Sequence, residues 1–352
     1  MSSSAPAPVV MTQLSLDDES RTRYSNAELH AYFESIKLPQ KYRDSIVLQD
    51  PTQALTKQHG LPLLVALTRH HTCNVPFENL VLHYTPHKAV TLDLTALFQK
   101  FVRRQLGGRC MENNSFFATV LRSLGYEVRN CAGRVSRAMS PYTEVRRNQG
   151  DTYDGWNHML NLVCLEDEWY VTDVGMGAMG PNLPYPLRDG FETVSVAPRE
   201  IRIQHRPIAE TYASGLGKGP EPPKLWCYDI CYKPDDEAGK KWLPVYCFTE
   251  TEFLPQDYEV MSWYTSKHPR SFFTKEIMCT KMIMDEEHEV IVGNLTLFNH
   301  TLTKAIGGER TVVKECKTEE DRLQVLEEMM QVHLTDEEKN SISDDQKLGH
   351  VM

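Results

Sequence analysis

The hydrophobic pattern changes near Gly125, and this change constrains the fold more than any other feature of the sequence. Up to Gly125, apolar residues recur every three or four positions, which is typical of one face of an α-helix. From Tyr126 onward, apolar and polar residues alternate loosely, which is typical of β-strands. The helical segments expected from the pattern are 25–36, 61–73, 93–104, 110–125, 257–267 and 319–332. The sequence therefore predicts a helical N-terminal part followed by a part built mainly of strands.

Three segments are expected to contain little regular structure. Residues 1–10 have neither the basic nor the apolar region of a signal peptide, so we expect a disordered lead there. Residues 175–223 are rich in Gly and Pro and predict long loops over the sheet. The chain after Thr335 is polar and predicts a frayed tail.

Charge and composition argue against several classes of partner. The 352 residues include 38 Lys plus Arg and 48 Asp plus Glu, which gives a net charge of −10. An acidic chain is poorly suited to binding nucleic acid or an anionic membrane, and no protein partner is indicated. The nine cysteines are scattered and odd in number, so we expect reduced thiols and a cytoplasmic location. They form no two pairs at zinc-ligand spacing, so no metal is expected.

Cys110 is the strongest candidate for a nucleophile. It follows Gly107 and Gly108 at the predicted start of a helix, and we expect these glycines to end the preceding helix by adopting positive φ. Free backbone N–H groups and the helix dipole at a helix start favour a thiolate over a thiol. The positive charge of Arg109, one residue earlier, acts in the same direction.

His158 and Asp173 provide a base and a group to orient it. They lie toward the open end of a predicted β-hairpin with its turn at 166–168. An antiparallel register brings them within one or two residue pairs, so the carboxylate can accept from one imidazole nitrogen while the other faces the thiol. Each residue alone also has an ordinary structural interpretation, because a lone cysteine is usually a small core residue. Together they predict a nucleophilic Cys–His–Asp site.

Several motifs, in order along most of the chain, resemble those of the arylamine N-acetyltransferase family. These motifs are Asn-Val-Pro-Phe-Glu-Asn-Leu (74–80), Gly-Gly-Arg-Cys-Met-Glu (107–112), His-Met-Leu-Asn-Leu-Val (158–163), Val-Thr-Asp-Val-Gly-Met-Gly (171–177) and His-Pro-Arg-Ser-Phe-Phe-Thr (268–274). The resemblance implies an α+β fold in which Cys, His and Asp are arranged as in papain and transglutaminases. It implies a helical domain at 1–125, a β-barrel domain at 126–254, and a connecting helix with an α/β lid at 255–352.

The same resemblance implies ping-pong acyl transfer and a role in xenobiotic detoxification. Cys110 would take an acyl group from acyl-CoA as a thioester and pass it to an aromatic amine or a hydrazine, with His158 as general base. Acetyl-CoA is the default donor and malonyl-CoA the alternative, and no cofactor is permanently bound. Two other functions remain open: a cysteine hydrolase or transglutaminase-like enzyme with the same three residues, and a catalytically silent homologue that acts as a binding protein.

Two residues next to the expected nucleophile depart from the family pattern. Leu106 stands where an arginine is common, and Arg109 stands where Tyr or Trp is common. The usual arginine would pair with Glu78, and Arg103, Arg104 or Arg109 is expected to replace it. Arg109 also has a second interpretation, as a ligand for the free carboxylate of malonyl-CoA in the acyl pocket.

Three further features are expected near the substrates. Phe77 is expected to line the acyl or arylamine pocket, with ordinary core packing as the alternative. Gly155 matches a family position beside the acyl-CoA pocket and is the candidate CoA-binding residue. Residues 140–154 form a long polar segment with Arg146 and Arg147, which is either an inert loop or a basic rim for the CoA phosphates.

Overall fold

The structure is a computed structural model that describes residues 22–211, 222–234, 236 and 238–349. The expected disordered lead at 1–10 lies outside these residues, as does part of the Gly- and Pro-rich stretch. Within the described ranges, no helix is long and apolar enough to cross a membrane.

The N-terminal part is helical, as the sequence predicts. Its first helix begins with a capping box, in which Ser25 N–H donates to a Glu28 carboxylate oxygen at 2.8 Å and Glu28 N–H donates to Ser25 Oγ at 3.4 Å. The elements are α1 (Asn26–Ser35), α2 (Gln40–Arg43), α3 (Gly60–Asn74), β1 (Phe77–Glu78), α4 (Val81–Tyr84), α5 (Leu94–Phe98), a π-helical turn (Gln99–Arg103) and α6 (Cys110–Ser123). Phe116 of α6 is fully buried in the core of this part, with the rings of Tyr32 and Phe101 at 5.3 and 5.1 Å.

The strand-rich part is an antiparallel sheet of eight strands that curls into a nearly closed barrel. Its elements in chain order are β2 (Glu127–Val135), α7 (Thr143–Gln149), β3 (His158–Leu165), β4 (Glu168–Thr172), β5 (Tyr185–Pro186), β6 (Phe191–Val194), β7 (Glu200–Arg206), β8 (Leu225–Cys231) and β9 (Leu243–Glu252). The strand order is β5-β4-β3-β2-β9-β8-β7-β6. Buried side chains such as Leu160, Tyr228 and Phe248 form its apolar core.

A second, five-stranded sheet has the order β1-β10-β11-β12-β13. The C-terminal elements are α8 (Pro255–Lys267), β10 (Met278–Asp285), β11 (Val290–Phe298), β12 (Thr301–Ile306), β13 (Glu309–Glu315), α9 (Glu319–Gln324) and α10 (Asp336–Asn340). Strand β1 belongs to the helical part of the chain, yet Phe77 pairs with Thr280 of β10. This pairing attaches the second sheet close to the segment that precedes Cys110.

The prediction of long loops at 175–223 is wrong for three short segments of that stretch. Strand β5 forms one edge of the eight-stranded sheet, and β7 and β6 form the other edge. Gly190, with φ +75°, comes just before β6, and Pro198 lies between β6 and β7. The Gly and Pro residues therefore mark the ends of short strands rather than one continuous loop.

The prediction of a frayed tail is also wrong within the described residues. Thr335 caps α10, and Glu338 forms an ion pair with Arg104 at 2.8 Å. Ile342 is 4% exposed in the apolar core under the second sheet, and Leu348 packs against that core. Ile342 and Leu348 thus anchor the otherwise polar C-terminal segment against this core.

The division into domains at 1–125, 126–254 and 255–352 stays a prediction. The type of element does change near both boundaries, because α6 ends at Ser123 and α8 begins at Pro255. Gly125 adopts φ +98° just after α6, as expected for a residue that ends a helix. Strand β1, however, is shared between the first and last of these segments.

Candidate active site

Cys110 is the first residue of α6. The N–H of Arg109, the N-cap residue, donates to Glu112 Oε2 at 2.9 Å, which fixes the entry of the chain into the helix. The Cys110 side chain is buried, and its Sγ lies 3.8 Å from the carbonyl oxygen of Asn157. Backbone N–H groups in the first turn of a helix have no intrahelical partner and favour negative charge beside them.

The role expected for the two glycines before Cys110 is wrong. Neither Gly107 nor Gly108 has positive φ, and the left-handed residue in this turn is Gln105, with φ +51°. A Cβ atom on Gly107 would lie 1.8 Å from the Pro76 carbonyl oxygen, and one on Gly108 would lie 2.9 Å from Glu112 Cβ. Gly107 is required because the Pro76 backbone approaches it closely, and Gly108 because the Glu112 and Phe101 side chains fill the space beside it.

The β3–β4 hairpin brings His158 and Asp173 together. Asn161 pairs with Thr172, which places Asp173 level with Leu160, two residues from His158. This confirms the expected spacing of one or two residue pairs. His158 Nε2 and Asp173 Oδ2 are 2.8 Å apart, and both side chains are buried.

Asn114 is a member of the site that sequence reasoning missed. Asp173 Oδ1 accepts from Asn114 Nδ2 at 2.9 Å and from the Gly175 N–H at 2.8 Å. Asn114 lies four residues after Cys110 on α6, so the two side chains share one face of the helix. That spacing is the signal in the sequence that identifies it.

The surroundings of His158 favour its protonated form. Burial by itself lowers the pKa of the imidazole, but the charge and hydrogen bond of Asp173, together with a hydrogen bond to Cys110, outweigh it and raise the pKa to about 10. A histidine with this pKa carries a proton at neutral pH. An imidazolium is the natural counter-ion for a thiolate at Cys110.

Cys110 and His158 open onto a cavity of about 1050 Å³. Phe77 also lines this cavity and packs in an apolar cluster with Cys110, and its contact with the substrate stays a prediction. Residues of β10 and β11, including Met282 and Asn294, also line the cavity. The chamber is large enough for an extended ligand that reaches the thiol.

Comparison with known proteins identifies the family. A family model described as N-acetyltransferase matches residues 60–339, which include the nucleophile, the hairpin and both sheets. The chain belongs to the arylamine N-acetyltransferase family. It is therefore an acyltransferase, and acyl-CoA is the co-substrate used in this family.

Two curated relatives illustrate the range of the family. An N-malonyltransferase, FDB2, of Fusarium pseudograminearum is 63% identical over 344 residues, covering 98% of this chain and 99% of that protein. The arylamine N-acetyltransferase of Escherichia coli is 29% identical over 245 residues, covering 69% of this chain and 72% of that protein.

Solved structures of the family share the fold. The arylamine N-acetyltransferase of Mycobacterium abscessus superposes with a TM-score of 0.68 at 22% identity, covering 89% of this chain and 92% of that one. That of Mycobacterium marinum, solved in complex with CoA, gives 0.65 at 23% identity, covering 89% of this chain and 97% of that one. The α+β fold expected from the sequence is confirmed.

Glu78 pairs with Lys100 and with none of the three arginines that the sequence suggests. Lys100 Nζ lies 3.5 Å from Glu78 Oε1 and 2.7 Å from Glu112 Oε1. Burial raises the pKa of the Glu78 carboxyl, and the Lys100 charge opposes that rise. The expectation that Arg103, Arg104 or Arg109 replaces the usual arginine is therefore wrong, because the π-helical turn places Lys100 over the two carboxylates.

Arg109 is not among the residues that line the cavity, so the structure gives no support to its place in the acyl pocket. Its guanidinium donates to Thr265 Oγ1 at 3.0 Å, Ser262 Oγ at 3.3 Å and Ser266 Oγ at 2.6 Å, all on α8. The residue is 3% exposed. Its Nε lies 3.8 Å from Glu112 Oε2, so these contacts link α8 to the start of α6.

The CoA-binding role of Gly155 stays a prediction. Gly155 is exposed, a Cβ atom there would meet open space, and its neighbours Asp154 and Asn157 line the cavity. The nearby segment 140–154 contains α7, and Arg146 lines the cavity while Tyr142 donates to Glu276 Oε1 at 2.8 Å. The segment is thus an ordered part of the cavity wall.

Proposed function

We propose that this protein is an acyl-CoA:arylamine N-acyltransferase that uses malonyl-CoA and works through a thioester on Cys110. The observation that carries the proposal is the pairing of His158 with Asp173 where His158 and Cys110 line one large cavity. The name of the 63% identical relative supports malonyl-CoA as the donor in preference to acetyl-CoA.

The first half-reaction transfers the acyl group to the enzyme. The Cys110 thiolate attacks the thioester carbonyl carbon, and backbone N–H groups at the start of α6 stabilise the negative oxygen. The bond between the carbonyl carbon and the CoA sulfur then breaks. The departing CoA sulfur takes the proton from the His158 imidazolium, which leaves an acyl-Cys110 thioester and a neutral His158.

The second half-reaction forms the amide. The nitrogen of an aromatic amine or hydrazine attacks the acyl-Cys110 carbonyl carbon, and His158 accepts the proton that this nitrogen loses. The carbon–sulfur bond to Cys110 breaks, and Cys110 leaves as a thiolate beside the restored imidazolium. Asp173 keeps the imidazole oriented in both steps. A cytoplasmic location and a role in xenobiotic detoxification stay predictions.

Initial-rate kinetics with malonyl-CoA and a substituted aniline test the proposal. We expect parallel double-reciprocal lines and an N-malonyl amide product, with no product from Cys110→Ala. Intersecting lines would contradict the ping-pong order. Hydrolysis of peptide or ester substrates without CoA would support the alternative of a cysteine hydrolase, and a folded but inactive protein would support a silent homologue.

A further inference from the structure

The cavity wall contains five arginines, and one of them differs from the rest. The five are Arg137, Arg146, Arg199, Arg270 and Arg310. Arg199 is 7% exposed, whereas Arg146, Arg270 and Arg310 are exposed and Arg137 is partly so. A charge in water is screened, but a buried charge interacts strongly with whatever enters the chamber beside it.

Arg199 has no carboxylate partner among the described residues. Its Nη1 donates to the Ala178 carbonyl oxygen at 2.6 Å, its Nη2 donates to Ser195 Oγ at 3.3 Å, and its buried Nε has no partner. By contrast, the cavity arginine Arg137 is 2.9 Å from Asp154 Oδ1. Burying a cation without an anion is unfavourable, so buried guanidinium groups are normally paired.

The position of Arg199 connects it with the nucleophile. A Cβ atom on Gly175 would lie 2.6 Å from Cys110 Cα, and one on Gly177 would lie 3.3 Å from Phe77 Cδ1. The chain from Gly175 to Met179 lines the cavity, and Ala178 of this segment accepts the hydrogen bond from Arg199. Arg199 and Cys110 therefore line the same cavity. Ala178, which accepts the hydrogen bond from Arg199, lies three residues after Gly175, the residue that packs against Cys110.

We infer that Arg199 recognises the free carboxylate of the malonyl group and so determines the preference for the donor. This inference rests on the proposed function. Arginine offers paired N–H donors that match a carboxylate, and two hydrogen bonds to the protein already hold this guanidinium in place. An acetyl group has no carboxylate, so with acetyl-CoA the buried charge remains unpaired.

The test compares Arg199→Gln with wild type, measuring kcat/KM for malonyl-CoA and for acetyl-CoA with one arylamine. Loss of a hydrogen-bonded charge pair predicts that the malonyl/acetyl ratio of kcat/KM falls roughly 10- to 100-fold. Arg199→Lys, which keeps the charge but not the planar fork, is expected to give an intermediate ratio. Amide formation from acetyl-CoA by the variants shows that they are folded.

Arg310→Gln is the matched control, because it removes a charge from the same cavity at an exposed position. We expect its malonyl/acetyl ratio to equal that of wild type. An unchanged ratio in Arg199→Gln would overturn the inference, and so would an equal loss with both donors, which would assign Arg199 to the CoA moiety. A ratio shifted as much by Arg310→Gln would also overturn it. Wild type that forms no malonyl amide would instead refute the proposed function.

Discussion

Asn114 lies one helical turn beyond Cys110 on α6 and donates a hydrogen bond to Asp173 at 2.9 Å. A single helix therefore positions both the nucleophile and the group that holds the carboxylate. Asp173 in turn bonds His158 through its other oxygen at 2.8 Å. The geometry of the site thus depends on the packing of α6 against the β3–β4 hairpin.

Asn114→Ala is expected to lower kcat/KM roughly 10- to 100-fold, because a hydrogen bond to a buried carboxylate is lost. Asp173 would also hold the imidazole less firmly, so we expect the alkaline limb of the pH–rate profile to move to lower pH. Steady-state kinetics over a pH series measures both effects.

Asn113→Ala is the control for that substitution. Asn113 is the adjacent buried asparagine, and its side chain bonds His71 and the Gly108 carbonyl oxygen instead of Asp173. We expect Asn113→Ala to lower the free energy of unfolding without moving the pH–rate profile. Identical profiles for the two variants would show that Asn114 has only a structural role.

The ionisation of His158 predicts how stability depends on pH. Its pKa is raised from 6.5 to about 10 in the folded protein by Asp173 and Cys110, against the opposing effect of burial. The interactions of protonated His158 therefore add to the free energy of unfolding. This contribution is fully present below about pH 6.5 and is lost as the pH rises through about 10. Urea unfolding across that range is expected to show a steeper decline for wild type than for His158→Gln. Parallel declines would contradict the assignment.

Lys100→Met is expected to lower the free energy of unfolding by about 3–5 kcal/mol, because the buried Glu78 carboxylate loses its counter-charge and Glu112 keeps only Arg109, 3.8 Å away. Lys57→Met is the matched control. Lys57 lies 3.0 Å from Glu168 in a more exposed pair, which predicts a loss of about 0–1 kcal/mol. Denaturant unfolding of both variants measures the difference, and equal losses would show that Lys100 does not stabilise the acidic pair.

Gly175→Ala is expected to slow acylation of Cys110 by about 100-fold, since displacing reacting groups by about 1 Å has an effect of that size. The added methyl group would lie 2.6 Å from both Cys110 Cα and Asn114 Nδ2, so the wall must shift. Stopped-flow release of CoA measures this step.

Gly155→Ala provides the comparison, because its methyl group would enter open space. We expect its unfolding free energy to match that of wild type. A raised KM for acyl-CoA in this variant would support the predicted role of Gly155 in binding CoA. A normal acylation rate in Gly175→Ala would contradict the close packing against Cys110.

Local patterns predicted the elements of the site well, since helix and hairpin periodicity depend on near neighbours in sequence. The start of α6 at Cys110 and the His158–Asp173 spacing both follow from such patterns. The partner of Glu78 could not be predicted this way. Lys100 reaches Glu78 only because a π-helical turn rotates it there, and a regular helical pattern gives no sign of that turn.

Other features of the structure depend on contacts between distant segments. The position of Arg109 next to Cys110 suggests the acyl pocket, but its hydrogen-bond partners on α8 are more than 150 residues away. The Gly and Pro content of 175–223 predicts loops where the structure has the strands β5 to β7. Their stability comes from pairing within the barrel, which composition does not reveal.

Intact-protein mass spectrometry detects an acyl group on Cys110 directly. Wild type and Cys110→Ala are incubated briefly with malonyl-CoA or acetyl-CoA in the absence of amine. We expect a malonyl adduct on wild type, a weaker acetyl adduct, and neither on Cys110→Ala. Folded wild type that forms no adduct with either donor, or an adduct that persists in Cys110→Ala, would contradict the account.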